Sequence, residues 1–225
     1  MLTAQAGKTT LAAKVADAIN ARYRARSPGL SLGTAHPVAA FIPMDGFHLT
    51  RAQLSAMPDP TTAHARRGAA FTFDGAAYLA LVKALREPIT PELRTLYAPS
   101  FDHAVKDPVE NDIIISPSAV VVVLEGNYVA LNKEPWKDAA ALLDEVWFVE
   151  VKEESARRRL VDRHVAAGIA GSAEEARRRV NENDLVNGRE IVENMVMVDE
   201  VVQSIEDDAW TVTSQTLDRA DTRED

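Results

Sequence analysis

Residues 119–128 read AVVVVLEGNY, and the interpretation of this stretch decides the fold. Between Ala119 and Leu124 lies a β-branched run with no polar alternation. A run that is apolar on both faces is the pattern of a central parallel strand, not of a half-solvated antiparallel one. It stops at Glu125, where Glu-Gly-Asn-Tyr breaks the apolar pattern. An acid in that position matters because ligands of open parallel sheets sit beyond the carboxyl ends of the strands.

The same arrangement recurs upstream. PVAAFIPM, from Pro37 to Met44, is an apolar run of strand length that ends in DGFH, so Asp45 also follows a strand. A third run, EVWFVEV, spans Glu145–Val151. Helical segments separate these strands. Leu11, Val15, Ile19 and Tyr23 recur every four positions, which predicts a helix over 9–26. Tyr78, Leu79, Val82 and Leu85 do the same over 74–86. Further helices are predicted over 137–143 and, rich in arginine, over 153–167, and another begins at Ser172, which forms a capping box with Glu175. A short helix over 50–57 is ended by the Pro-Asp-Pro at 58–60, and LRTLYAPSF after Pro91 reads as strand and loop. Strands alternating with helices predict a layered α/β fold with a mostly parallel sheet. One domain over 1–212 suffices, followed by a polar tail, 213–225, too poor in apolar residues to pack.

Composition narrows the function classes. The chain has 225 residues, 46% of them hydrophobic, with no stretch of roughly 18 apolar residues that would cross a membrane. No secretory signal pattern opens it and it has no cysteine, which fits a reducing cytoplasmic setting. A net charge of -9 disfavours nucleic acid, whose phosphates require a basic face, and favours a small-molecule partner. His36, His64 and His103 are too dispersed for a metal site, and Trp136 and Trp147 lie in apolar segments expected to be core. A homodimer is compatible with these features, and nothing in the sequence selects it.

Near the start, AGKTT directly precedes the first helix. Phosphate loops follow G-x-x-x-x-G-K-[ST]: backbone N–H groups surround the phosphates, the lysine reaches the β and γ oxygens, and the hydroxyl binds magnesium. Gly7, Lys8 and Thr9 fill the last three places, but Leu2 stands where the first glycine belongs. The strand feeding the loop would have to precede it, so the sequence predicts a sheet whose first strand is missing. Taken alone, AGKTT reads equally as a Gly-Lys turn at the start of a surface helix. With Asp45 and Glu125 it gains a chemistry, because phosphoryl transfer needs one acid to deprotonate or orient a hydroxyl and another near magnesium.

The order AGKTT, PMDGFHL, RRGAAFTFD, VVVVLEGNYVAL, RLVDRHVAAG and NDLVNG, over roughly 3–195, resembles the P-loop kinase family of phosphoribulokinase, uridine kinase and pantothenate kinase, in its fructose-transport-kinase-like branch. The resemblance implies a P-loop NTPase three-layer sandwich and transfer of the γ-phosphoryl group of ATP, with Mg2+, to a hydroxyl of a nucleoside, sugar or pantothenate-like acceptor. It implies that Ala6, Gly7, Lys8, Thr9 and Thr10 hold the phosphates, that Thr9 and Glu125 hold magnesium, and that Asp45 is the catalytic base. Arg159 and Arg163 would be lid arginines. Asp45, His48, Arg67, Tyr97, Phe101, Asp102, Glu125 and Tyr128 would line the acceptor pocket, and Asn187 and Gly188 would lie near the nucleotide base. The alternative is an inactive member that keeps the fold for binding or regulation.

Overall fold

The computed structural model describes residues 7–26, 37–90 and 95–205. Ala6, His36 and the tail 213–225, with the domain end at 212, lie outside the described residues.

Helix α1, Lys8–Arg26, starts directly after Gly7, and Arg24 and Arg26 in its last turn complement the helix dipole. Asn20 docks it on strand β1, Ala39–Pro43: its amide donates to the Ala39 carbonyl at 2.9 Å and its Oδ1 accepts from Ala39 N at 3.0 Å. A tight turn, Met44–Phe47, follows β1 and carries Asp45. Helices α2, Arg51–Ser55, and α3, Pro60–Ala65, come next. Pro60 does not simply break structure, as the sequence suggested. It occupies the first turn of α3, where its missing N–H costs nothing, and Asp59 caps that helix by accepting from Thr62 N at 3.0 Å.

Helix α4, Gly75–Leu85, leads to an antiparallel hairpin of β2, Leu96–Asp102, and β3, Asp107–Ile115. Strand β4, Val121–Glu125, lies parallel to β1, with Pro43 opposite Glu125, so the two strand ends and their acids are side by side. Helix α5, Trp136–Ala140, precedes strand β5, Trp147–Glu150. Helices α6, Glu153–Ala166, and α7, Ala173–Arg179, follow, and then a π-helical turn, Val180–Asp184, runs into helix α8, Leu185–Glu193. Strand β6, Glu200–Gln203, pairs in parallel with β5. Strands and helices in this order form an α/β fold, with two parallel strand pairs and one hairpin among the described residues.

The main core gathers Ile42, Met44, Phe47, Tyr78, Tyr128 and Trp136 beneath β1 and α4. A second cluster joins Val149 and Val151 to Leu160, Val180 and Leu185. Strand β4 is less enclosed than its apolar run predicted, and Val121 is 37% exposed. Residues of β4 and of β5, among them Val123 and Val149, line a cavity of about 580 Å³, walled on the helix side by Leu11, Val15 and Ile19. Among the described residues no strand lies between β4 and β5.

Two expectations need correction. Trp147 is not core: it is 46% exposed, lines that same cavity, and its indole N–H donates to Glu145 at 2.9 Å. Ser172 caps α7 by accepting from Glu175 N, but the Glu175 carboxylate accepts from Gly171 N at 2.9 Å and so does not close the box on Ser172. A full reciprocal box occurs instead at α2, between Thr50 and Gln53.

Candidate active site

Three chain segments meet where β1 and β4 end. The first is the N-terminus of α1, whose opening N–H groups have no partner within the helix and favour an anion. Lys8 Nζ donates to Asn127 Oδ1 at 3.0 Å, and the Thr9 hydroxyl donates to Glu125 Oε2 at 3.1 Å. The second segment is Glu125-Gly126-Asn127, and the third is the turn bearing Asp45. Glycine is required at both strand ends by close approach. A Cβ on Gly126 would lie 2.3 Å from the Met44 Cβ, and one on Gly46 would lie 2.0 Å from the Pro99 carbonyl oxygen. Gly126 thus lets the end of β4 close on the turn that carries Asp45, while Gly46 lets that turn close on strand β2.

Electrostatics couple these groups. Burial holds the Lys8 amine below the ordinary lysine range, against the pull of the Glu125 and Asp45 carboxylates, while Arg163 adds to the lowering. Burial raises Glu125 above the ordinary carboxylate range; Lys8, the Thr9 hydroxyl and Arg163 oppose this, and Asp45 reinforces it. Lys8, Asp45, Glu125 and Arg163 thus lie within electrostatic reach of one another, and opposed shifts of neighbouring groups are a mark of functional sites. The Asp45 side chain is 47% exposed, so its carboxylate is open to a ligand. His48 Nδ1 lies 2.8 Å from the Asp45 carbonyl and donates to it, and the ring stacks between Phe73 at 3.9 Å and Phe101 at 5.0 Å. Burial holds His48 below the ordinary imidazole range, opposed by Asp45 and aided by Arg67 and His103.

Magnesium prefers oxygen donors, with one or two protein ligands and the rest from phosphate and water. The Thr9 hydroxyl and the Glu125 carboxylate, already in contact, fit that donor set. The described residues hold no cluster of three or more histidine, aspartate or glutamate side chains that would cage a metal alone.

The other residues singled out in the sequence divide. Gly7 and Thr10 flank Lys8 and Thr9 at the start of α1. Arg67 lies with its guanidinium 5.6 Å from the Phe101 ring centroid and pairs with Asp107 at 3.0 Å, which places both Arg67 and Phe101 beside His48. Asp102 forms the hairpin turn instead, its Oδ1 accepting from Ala104 N at 2.7 Å and Val105 N at 2.9 Å. Tyr97 is 50% exposed and pairs with Ile114 across the hairpin. Tyr128 is fully buried and donates to the Gly68 carbonyl at 2.7 Å. Arg159 donates to Ser204 at 3.0 Å, at the end of β6. Asn187 is buried and accepts from Arg66 at 2.7 Å, with Gly188 buried next to it. Sequence reading missed Asn127, although it directly follows the acid and glycine of the β4 end; it missed Asn183, although it opens the NDLVNG segment, and Asp107, for which no motif gave a signal.

No protein-family model matches the chain. It is 55% identical, over 71% of its own length and 92% of the relative's, to the ATP-dependent kinase-like protein notR' of Aspergillus versicolor. It is 40% identical to a candidate uridine kinase of Schizosaccharomyces pombe, covering 88% of this chain and 79% of that one. The chain belongs to the P-loop kinase family that includes uridine kinase. The fold agrees: a solved structure from Silicibacter sp. TM1040, a candidate fructose transport system kinase, superposes with a TM-score of 0.71 at 29% identity, over 87% of this chain and 84% of that one. In this P-loop kinase family member, Gly7 directly precedes Lys8 and Thr9, which open α1. Among the described residues no helix is long and apolar enough to cross a membrane.

Proposed function

We propose that this protein is an ATP-dependent phosphotransferase that moves the γ-phosphoryl group to a hydroxyl of a small-molecule acceptor. The observation that carries this reading is the meeting of Gly7–Thr9, Asp45, Glu125 and Arg163 at the ends of two parallel strands. Names such as uridine kinase and fructose transport system kinase among the relatives support a nucleoside or sugar acceptor, with a pantothenate-like one in the same chemical class.

The roles follow from charge and position. The α1 N-terminus and Lys8 bind the β and γ phosphate oxygens. Thr9 and Glu125 hold magnesium, which when bound neutralises phosphate charge. Asp45, open to solvent, accepts the proton of the acceptor hydroxyl as its oxygen bonds to the γ phosphorus and the bond to the β-phosphate oxygen breaks, leaving ADP. Arg163 approaches from α6 and offsets the charge that develops on the transferring group. Phosphate charge beside Lys8 opposes the lowering that burial imposes on its amine, so binding anion and binding proton reinforce each other. ADP release from Mg·ATP across a panel of nucleosides, sugars and pantothenate-like alcohols tests the reading. Turnover with one acceptor, abolished by Asp45→Asn, supports it, and a folded protein that turns over none overturns it.

A further inference from the structure

The turn Arg66-Arg67-Gly68 is held from several directions at once. Gly68 N donates to the Thr72 hydroxyl at 2.9 Å, and the Gly68 carbonyl accepts from Tyr128 at 2.7 Å. Arg66 Nε donates to Asn183 Oδ1 at 2.9 Å and Arg66 Nη2 to Asn187 Oδ1 at 2.7 Å. The Asn183 amide donates to the Arg67 carbonyl at 3.2 Å, and Arg179 Nη2 reaches the same oxygen at 3.4 Å. Asn183 and Asn187 are only 4% and 5% exposed, and Asn187 Nδ2 donates to Asn183 Oδ1 at 3.3 Å. A buried amide costs free energy unless its hydrogen bonds are made, so a site that needed only packing would be served by leucine at similar volume.

Asn183 also sits in the π-helical turn Val180–Asp184, a local widening of the helix that recurs at functional positions. Its neighbour Asp184 pairs with His164 of α6 at 2.9 Å, the helix that carries Arg163. On the other side, Arg67 is fixed in detail: Nη1 donates to the Lys106 carbonyl at 2.6 Å, and Nη2 to the Leu49 carbonyl at 3.1 Å and to Asp107 at 3.0 Å. Its guanidinium packs on Phe101, which packs on His48. Asn183 therefore lies between the helix that supplies Arg163 and the turn that supplies Arg67.

We propose that Asn183 is a positioning residue: through Arg66 and the Arg67 carbonyl it sets the turn that places Arg67 beside His48 and Phe101, on the acceptor side of Asp45. The inference rests on the phosphotransfer reading only for the word acceptor; the placement itself is independent of it.

The test uses the full chain with Asn183→Leu. Histidine ring nitrogen spectra are followed across pH, with the His48 signal identified by its loss in His48→Asn. The charged and titratable groups facing His48 are Asp45, Arg67 and His103. If Asn183 holds Arg67 in place, its loss moves a positive charge away and the His48 midpoint rises toward the ordinary imidazole value. An unchanged midpoint in a folded Asn183→Leu protein overturns the proposal. With an active acceptor, KM for that acceptor rises several-fold at unchanged KM for Mg·ATP, whereas equal change in both overturns the positioning role. Should Asn183→Leu fail to fold, Arg66→Lys, which keeps the charge and loses the forked contact to Asn183 and Asn187, carries the same expectations. A protein that phosphorylates no acceptor removes the kinase reading, while the His48 titration still decides the proposal.

Discussion

The Thr9 hydroxyl donates to Glu125 at 3.1 Å across a separation of 116 residues, joining the start of the first helix to the end of a strand in the second half of the chain. A hydroxyl and a carboxylate oxygen brought together at a helix N-terminus make a place for a cation beside a place for phosphate. Disrupting that contact isolates metal use from phosphate use. Thr9→Val is expected to weaken binding of Mg·ATP by roughly tenfold or more while leaving binding of ATP in chelator nearly unchanged, measured by calorimetry.

Asp45→Asn keeps the shape of the turn and removes the base proposed for the transfer. Loss of a general base costs about 10²–10⁴ in rate, so kcat should fall in that range with nucleotide affinity retained. Equal loss of nucleotide binding would place Asp45 in phosphate or metal binding instead.

Gly126→Ala places a methyl group where the Met44 Cβ already lies 2.3 Å away. Overpacking of this kind typically costs about 1–3 kcal/mol. In a domain of this size that corresponds to a drop of about 2–4 °C in Tm per kcal/mol, read by thermal unfolding. Met44→Gly in the same chain removes that Cβ, so the double variant should be less destabilised than the two single losses added together.

Glu125→Gln removes a charge that burial disfavours. A carboxyl whose folded pKa is raised contributes stability that is fully present below its unfolded value near 4.5 and is lost as pH rises through the folded value. Wild type should therefore be less stable than Glu125→Gln at pH 8, with the gap closing as pH falls toward 4.5, in urea unfolding at each pH. A gap that widens on acidification would mean that the ionised form is the one the fold favours.

Arg163 and Arg159 both lie on α6 but differ in setting: Arg163 acts on Lys8 and Glu125, while Arg159 reaches Ser204. Arg163→Ala should reduce kcat by tenfold or more, and Arg159→Ala should act mainly on stability. The reverse pattern would reassign the lid.

The parts of this molecule that were legible from sequence share a physical cause. The apolar runs ending at Asp45 and Glu125 set the parallel pair β1 and β4, and the four-residue spacing of Leu11, Val15 and Ile19 set α1, because burial on one face imposes periodicity. The strand pairing of β3 escaped notice because DPVENDIII mixes polar and apolar residues on a hairpin that is solvated over much of its length. Trp147 misled because an apolar segment is core only if something covers it, and this side chain lies in the wall of a cavity, 46% exposed. Arg66 and Asn183 each open a segment singled out in the sequence, RRGAAFTFD and NDLVNG, but their pairing across 117 residues was not legible, since a hydrogen bond between distant polar side chains imposes no periodicity.

Calorimetric titration of the chain with magnesium and a non-hydrolysable ATP analogue, beside Lys8→Ala, tests the central reading most directly. Phosphate binding at the start of α1 predicts micromolar affinity in the wild type and its loss in Lys8→Ala with the fold intact by circular dichroism. Binding that survives the substitution, or no binding by a folded wild-type chain, would contradict a nucleotide site at Gly7–Thr9.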